Sequence, residues 1–224
     1  MITIIIPVLN EEKTIAQCLK DIIEIPGHKE LLVVDGGSHD RTVEIASNYA
    51  RVITSPKGRA KQMNSGAKEA TGDVLWFVHS DSRFHENSLL EIEKSIEEKH
   101  IGGFFKLYFY DHDTRFMRSL ARTSNLRAKY LKLIFGDQGI FMKRDIFEEL
   151  GGFKDMELME DWEMSRRIQR LGKMKIVNEK IGTSARRFQR DGQLKTLLKM
   201  HKIKILYLVG TPTDKLNKIY REVR

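Results

Sequence analysis

The chain has 224 residues, 41% of them hydrophobic and 31% charged, which is the balance of a globular domain and excludes a disordered or fibrous chain. A single cysteine, Cys18, excludes an intrachain disulfide, and a formal net charge of +8 favours anionic ligands or surfaces. No apolar stretch approaches the roughly 20 residues that cross a bilayer, and no recurrent nucleic-acid motif is present.

Taken in order, the elements alternate. Ile2–Val8 is an apolar, β-branched run and reads as a buried strand. It lacks the basic start and cleavage site of a signal peptide, so the expectation is a cytoplasmic protein. Glu11–Ile25 has helical periodicity, with Cys18 inside it as a small core or surface residue. The chain continues with a strand at Glu30–Asp35, a helix at Thr42–Tyr49, a short strand at Arg51–Ser55, a helix at Gly58–Ala70 and a strand at Asp73–His79. A helix over Ser88–Glu98 follows, with Ser88 or Asn87 as its cap. This alternation predicts a mostly parallel sheet covered by helices on both faces.

The second half is less regular. Strands are predicted at Phe104–Tyr110, Gly139–Lys143 and Met174–Val177, and helices at Arg115–Lys132, Asp145–Leu150 and Glu160–Leu171. The tail reads as a helix over Leu194–Val209, apolar on one face, then a short helix opened by Pro212.

Ligands of an open parallel sheet bind beyond the carboxyl ends of its strands. Three predicted strands end in polar segments: Asn10-Glu11-Glu12, Asp35-Gly36-Gly37-Ser38 and His79-Ser80-Asp81-Ser82. Asp35 can accept hydrogen bonds from a base or ribose, and the glycines let backbone N–H groups approach a ligand. A tight turn, with Ser38 or Asp40 capping the next helix, is the competing reading. Asp81 can ligate Mg²⁺ or Mn²⁺ together with phosphates, or simply cap a helix. Glu160 and Asp161 open a helix, where acidic residues complement its dipole, or where one serves as a general base. Arg186 and Arg187 suit phosphate contacts or a basic surface loop. Lys57-Gly58-Arg59, with Gln62 and Asn64, reads either as a polar rim or as ordinary helix capping. Phosphate-loop, G-x-G-x-x-G, zinc-protease and serine-hydrolase motifs are missing.

These segments, in this order, resemble the inverting family 2 glycosyltransferases, whose fold is the Rossmann-like α/β arrangement called GT-A. IIIPVLNEE resembles the opening strand and nucleotide loop, VVDGGSHDRT the D-G-S-x-D-x-T segment, and GRAKQMNSGAKEATGDVLWFVHSDS the stretch that runs into the metal motif. EDWEMSRRIQRLG resembles the helix that carries the catalytic base. FGDQGIFMKRDIFEELGGF and TSARRF are closer still to a small bacterial branch often met beside radical-enzyme and selenium-related genes.

The resemblance implies one domain over residues 1–190, with a nucleotide half over about 1–100 and an acceptor half over about 101–190, and a helical extension over 191–224. It implies that Pro7, Asn10, Glu12, Asp35, Gly37, Arg59, Asp81, Arg186 and Arg187 face a nucleoside-diphosphate sugar, with a UDP-sugar favoured. Asp81 would hold Mg²⁺ or Mn²⁺, Asp161 would be the base beside Glu160, and Asp137 and Gln138 would lie on the acceptor side. One departure stands out: the usual D-x-D is His79-Ser80-Asp81 here. The rival functions are a nucleotidyltransferase and a nucleotide-sugar binder without turnover. For the tail, Lys195, Lys199, Lys202 and Lys204 beside Leu197, Leu198, Ile203 and Leu206 offer contact with an anionic membrane, while packing on the domain or on a second subunit is the preferred reading.

Overall fold

The computed structural model describes residues 1–221; the last three positions of the predicted extension lie outside the described residues. One seven-stranded sheet organises it, in the order β3-β2-β1-β4-β6-β5-β7. Its strands are β1 (Ile2–Val8), β2 (Lys29–Asp35), β3 (Arg51–Thr54), β4 (Val74–Phe77), β5 (Gly102–Phe109), β6 (Phe141–Lys143) and β7 (Met174–Thr183). The first four are parallel neighbours; β6 runs antiparallel to β4 and β5, and β7 is parallel to β5.

The continuous apolar run of β1 follows from burial on both faces. Ile4 and Ile6 point into a core layer with Cys18, Leu19 and Ile22 of α1 (Ile15–Glu24) and with Leu89 and Ile92 of α4 (Ser88–Glu97). Ile5 points the other way, onto Ala60 and Met63 of α3 (Arg59–Glu69) and the Phe77–Phe147–Phe153 aromatic group. The period of two along the strand thus feeds two layers. Pro7 lacks an N–H, and it pairs only with β2, since the ladder to β4 ends at Ile5.

The remaining helices are α2 (Thr42–Ala46), α5 (Arg115–Leu131), α6 (Arg144–Glu149), α7 (Glu160–Ile168), α8 (Arg186–Asp191), α9 (Gln193–Leu208) and α10 (Thr213–Arg221). A third apolar cluster joins Leu158, Met159 and Trp162 to Ile203 of α9 and Leu216 of α10, so the last two helices cover the start of α7.

Four expectations change. β7 is six residues longer than predicted, because its second half is an edge segment containing Asn178, Glu179 and Lys180, which carries no apolar signature. Residues 186–191 form a short helix rather than a loop. No side-chain cap is made at Asn87; the Ser88 hydroxyl instead accepts from the His85 N–H. And α9 does not confine its apolar residues to one face: it buries Thr196 and Ile203 and leaves Leu194, Leu198, Ile205 and Leu208 exposed.

Candidate active site

The polar ends of β1, β2 and β4 do meet at one sheet edge, and the first two are locked together. Asn10 adopts a left-handed conformation at φ 55° that asparagine tolerates. Its N–H donates to the Ser38 hydroxyl, and its side-chain oxygen accepts from the His39 N–H. Glu12 accepts from the Arg41 N–H while its own N–H donates to Asp40. The Asp35 carboxylate accepts from the N–H groups of Gly37 and Ser38 and closes the turn. Asp40 accepts from the Thr42 N–H at the start of α2. Asn10, Glu12 and Asp35 therefore shape this rim, with Gly37 at φ 92° supplying a turn that side chains resist.

Gln62 and Asn64 do not form a rim. Gln62 is buried and donates to the carbonyls of Val8 and Val34, stitching the ends of β1 and β2; a Cβ on Gly36 would lie 2.9 Å from its amide. Asn64 makes a two-way clamp on the backbone of Phe153, donating to its carbonyl and accepting from its N–H. Two residues on, Gly66 lets α3 sit against the sheet, where a Cβ would fall 2.5 Å from Ile5.

Asp81 lies just past β4 with its side chain 14% exposed. Its counter-ion is Arg186, whose guanidinium nitrogen stands 3.5 Å from Asp81 and 3.1 Å from Glu11. Burial pushes the Asp81 carboxyl up, and Arg186 opposes the shift. Arg187, one residue on, lies over the Tyr220 ring at 4.2 Å. No group of three His, Cys, Asp or Glu side chains able to hold a metal occurs among the described residues. The donor set does fit a divalent ion that takes its other ligands from a diphosphate: Mg²⁺ and Mn²⁺ sites commonly combine one or two carboxylates with phosphate oxygens.

The second group of charges lies at the start of α7. Met159 takes a left-handed φ of 72° and directs Glu160 and Asp161 inward. Glu160 is 1% exposed and forms an ion pair with Arg59 of α3; its second oxygen has no partner among the described residues. Asp161 accepts from the Gly136 N–H at 2.8 Å and from its own helix at Trp162. Burial, and then the neighbouring Glu160 charge, push its carboxyl up to about 6. A cavity of about 10 Å³, the size of one water, is lined by Arg59, His79, Gly136 and Asp161 with Phe77 and Phe153 behind.

His79 connects the two groups. Burial and the nearby Arg59 push its imidazole down to about 3, so the ring is neutral at physiological pH. It lies in the fields of Arg59 and Glu160 and also of Glu11 and Arg186. A carboxylate at this position would add a like charge between two acidic groups, which the neutral ring avoids. A Cβ on Gly136 would stand 2.8 Å from the His79 Nε2, so a larger residue there would displace the imidazole. Asp137 and Gln138 follow Gly136 in a 3-10 turn; Gln138 is buried, and Asp137 has one buried oxygen without a partner among the described residues.

Sequence reasoning gave Glu11 no role, because nothing in Asn-Glu-Glu distinguishes the carboxylate that meets Arg186 from the one that closes the loop. It also passed over Arg127, and it read Lys204 only as part of a basic tail; the two cations flank Phe135.

The chain resembles known proteins in fold and in sequence. The solved structures it resembles include Staphylococcus aureus TarS with UDP-GlcNAc (TM-score 0.64, 18% identity, 82% of this chain and 58% of that one). They also include glucosyl-3-phosphoglycerate synthase of Mycobacterium tuberculosis with Mn²⁺, UDP and glucosyl-3-phosphoglycerate (TM-score 0.66, 21% identity, 95% and 80%). The fold is therefore GT-A. Among sequence relatives, the probable glycosyltransferase YdaM of Bacillus subtilis (strain 168) is 28% identical over 199 residues, and the chain spans 47% of its length. A PGL/p-HBAD biosynthesis glycosyltransferase of Mycobacterium bovis (strain BCG / Pasteur 1173P2) is 30% identical over 178 residues, 75% of this chain and 69% of that protein. Residues 3–151 match the family described as Glycosyl transferase family 2, and the chain belongs to that family.

Proposed function

We propose that the protein transfers a sugar from a nucleoside-diphosphate sugar, with a UDP-sugar favoured, to an acceptor hydroxyl with inversion at the anomeric carbon. The observation that carries this reading is the pairing of a buried, proton-seeking Asp161 with a separate carboxylate–guanidinium group, Asp81 and Arg186, on the same sheet edge. Two solved structures of this fold hold Mn²⁺ with a nucleotide or nucleotide sugar: the mycobacterial synthase and a mannosyltransferase from Pyrobaculum calidifontis with GDP-Man. Those ligands belong to the neighbours; here they support the choice of donor class.

In this mechanism the rim built by Asn10, Glu12, Asp35 and Gly37 receives the nucleoside, beside Pro7. Arg186 leaves Glu11 and Asp81 to contact the diphosphate, with Arg187 adjacent. Asp81 would hold Mg²⁺ or Mn²⁺, which would supply charge neutralisation for the leaving diphosphate. Asp161 accepts the proton of the acceptor hydroxyl. The hydroxyl oxygen forms the new bond to the anomeric carbon as the bond to the diphosphate breaks, and the nucleoside diphosphate departs with the bonding electrons. Glu160, bound to Arg59, keeps Asp161 basic by its charge. Asp137 and Gln138 stand on the acceptor side. Membership of the bacterial branch met beside radical-enzyme and selenium-related genes rests on the segments 135–153 and 183–188.

The test is turnover. UDP-, GDP-, CDP- and dTDP-sugars are incubated with the protein and Mn²⁺, release of nucleoside diphosphate is followed, and the anomeric configuration of the product is read by NMR. Inverted product whose formation falls by 10²-fold or more in Asp161→Asn is the expected result. Pyrophosphate release would favour nucleotidyl transfer instead, and retention of configuration would remove the direct displacement.

A further inference from the structure

Phe135, the residue before the glycine that holds Asp161, carries two cations on its ring. The Arg127 guanidinium carbon of α5 lies 4.2 Å from the ring centroid and the Lys204 ammonium of α9 lies 5.4 Å from it. Lys204 has no hydrogen-bond acceptor, and neither cation has a carboxylate within 4 Å, among the described residues. Arg127 spends its Nε on the Leu133 carbonyl and one further nitrogen on the Gln138 side chain at 3.3 Å, which leaves part of its donor fork free.

A purely structural role accounts for one cation on an aromatic face. Two on the same ring repel each other, and the lysine responds: burial and the neighbouring Arg127 lower its ammonium to about 8. Its stem is nonetheless fixed, because the preceding Ile203 is anchored against Leu158, Met159 and Trp162. The charges felt by Lys204 are Arg127 and Asp137, whereas those around Asp81 are Arg186, Arg187 and Asp111. The two groups draw on different cations, and Asp137 feels both this pair and Asp81. The pair borders the turn over Asp161: Arg127 lies in the field of that carboxylate, and Phe135 precedes Gly136, whose N–H donates to it.

We propose that Lys204 and Arg127 form an anion subsite for the acceptor, so that the hydroxyl presented to Asp161 belongs to a phosphate-bearing alcohol. This rests on the transferase reading above. An arginine fork beside a compact ammonium is the donor set that a phosphate group takes up well. The same chemistry is carried by a soluble phosphomonoester and by a lipid headgroup, and the assay separates them.

The full chain is titrated in UDP and Mn²⁺ with sn-glycerol 3-phosphate or glycerol, and in parallel with phosphatidylglycerol or phosphatidylcholine vesicles. Binding is read from the fluorescence of Trp162, whose ring stands 5.6 Å from Phe135, and from thermal shift. The net-anionic ligand of at least one arm, glycerol 3-phosphate or phosphatidylglycerol, is expected to half-saturate at a concentration tenfold or more below its uncharged or zwitterionic counterpart. Lys204→Gln should weaken that binding by tenfold or more, and Lys204→Arg should restore most of it. A soluble arm that responds alone assigns a soluble acceptor, and a vesicle arm that responds alone assigns a lipid one. Equal binding of the net-anionic ligands and their uncharged or zwitterionic counterparts, or unchanged binding in Lys204→Gln, overturns the proposal. A wild-type protein that responds to UDP and Mn²⁺ but to neither phosphate ligand overturns it too, while leaving the transferase reading intact; no response to any nucleotide would overturn both.

Discussion

Asp161 is held in a state that costs stability and serves the proposed chemistry. Its carboxyl is raised to about 6, first by burial and then by Glu160, so the folded protein binds this proton more tightly than the unfolded chain does. The sign follows: the stabilising contribution is fully present below the ordinary carboxylate pKa near 4 and is lost as pH rises through about 6. Asp161→Asn should therefore be more stable than the native protein at pH 7.5, by on the order of 1–3 kcal/mol, and show no such gain at pH 4. Calorimetric unfolding at the two pH values checks this; equal stability at pH 7.5 would mean that the buried carboxylate is fully compensated. As a base the group works only when ionised, so the transfer rate of the native enzyme should fall as pH drops through about 6. The residual rate of Asp161→Asn should lack that limb.

At the scale of elements, the ion pair between half-buried Arg59 and buried Glu160 joins α3 to α7 across 101 residues of sequence. Removing the guanidinium leaves a carboxylate that is 1% exposed with no cation, so Arg59→Ala should cost about 3–5 kcal/mol in urea unfolding. Arg59→Met combined with Glu160→Met should recover most of that loss, since well-packed apolar residues replace buried ion pairs without penalty. If the double variant were as unstable as the single one, the pair would be holding the helices in register rather than satisfying its own charges. The elements themselves were largely legible. β1, β2 and β4 are buried on both faces and show it as apolar runs, and α1 is apolar on one side. Legibility failed where burial is one-sided or brief. The second half of β7 pairs with β5 through a bulge at Phe105/Lys106 and keeps charged residues at the edge. Six residues of α8 are too few to display a period. The tail misleads for a different reason, since α9 is held through Ile203 and Thr196 while four large apolar side chains stay exposed.

For the whole molecule, the convergence of three strand ends was readable because parallel strands carry their carboxyl ends to one edge. What links that edge to the rest was not readable: Arg186 reaches Glu11 from 175 residues away, and no periodicity reports such a contact. This long-range pair has a thermodynamic consequence. Asp81 has too few ligands around it among the described residues to bind a divalent ion firmly alone. A diphosphate arriving alone meets Arg186, but it also meets Glu11 and Asp81, which repel it. Each ligand therefore lacks part of its complement until the other is present. Mn²⁺ alone and UDP alone should each move Tm by little, while the two together should move it well beyond the sum. At 100-fold excess over Kd the stabilisation is about 2.7 kcal/mol, which for a chain of this size corresponds to about 5–10 °C. Asp81→Ala should abolish the excess while retaining whatever UDP gives alone, because Arg186 remains. Simple additivity in the native protein, or an excess that survives in Asp81→Ala, would place the metal on other side chains and reduce Asp81 to a counter-ion of Arg186.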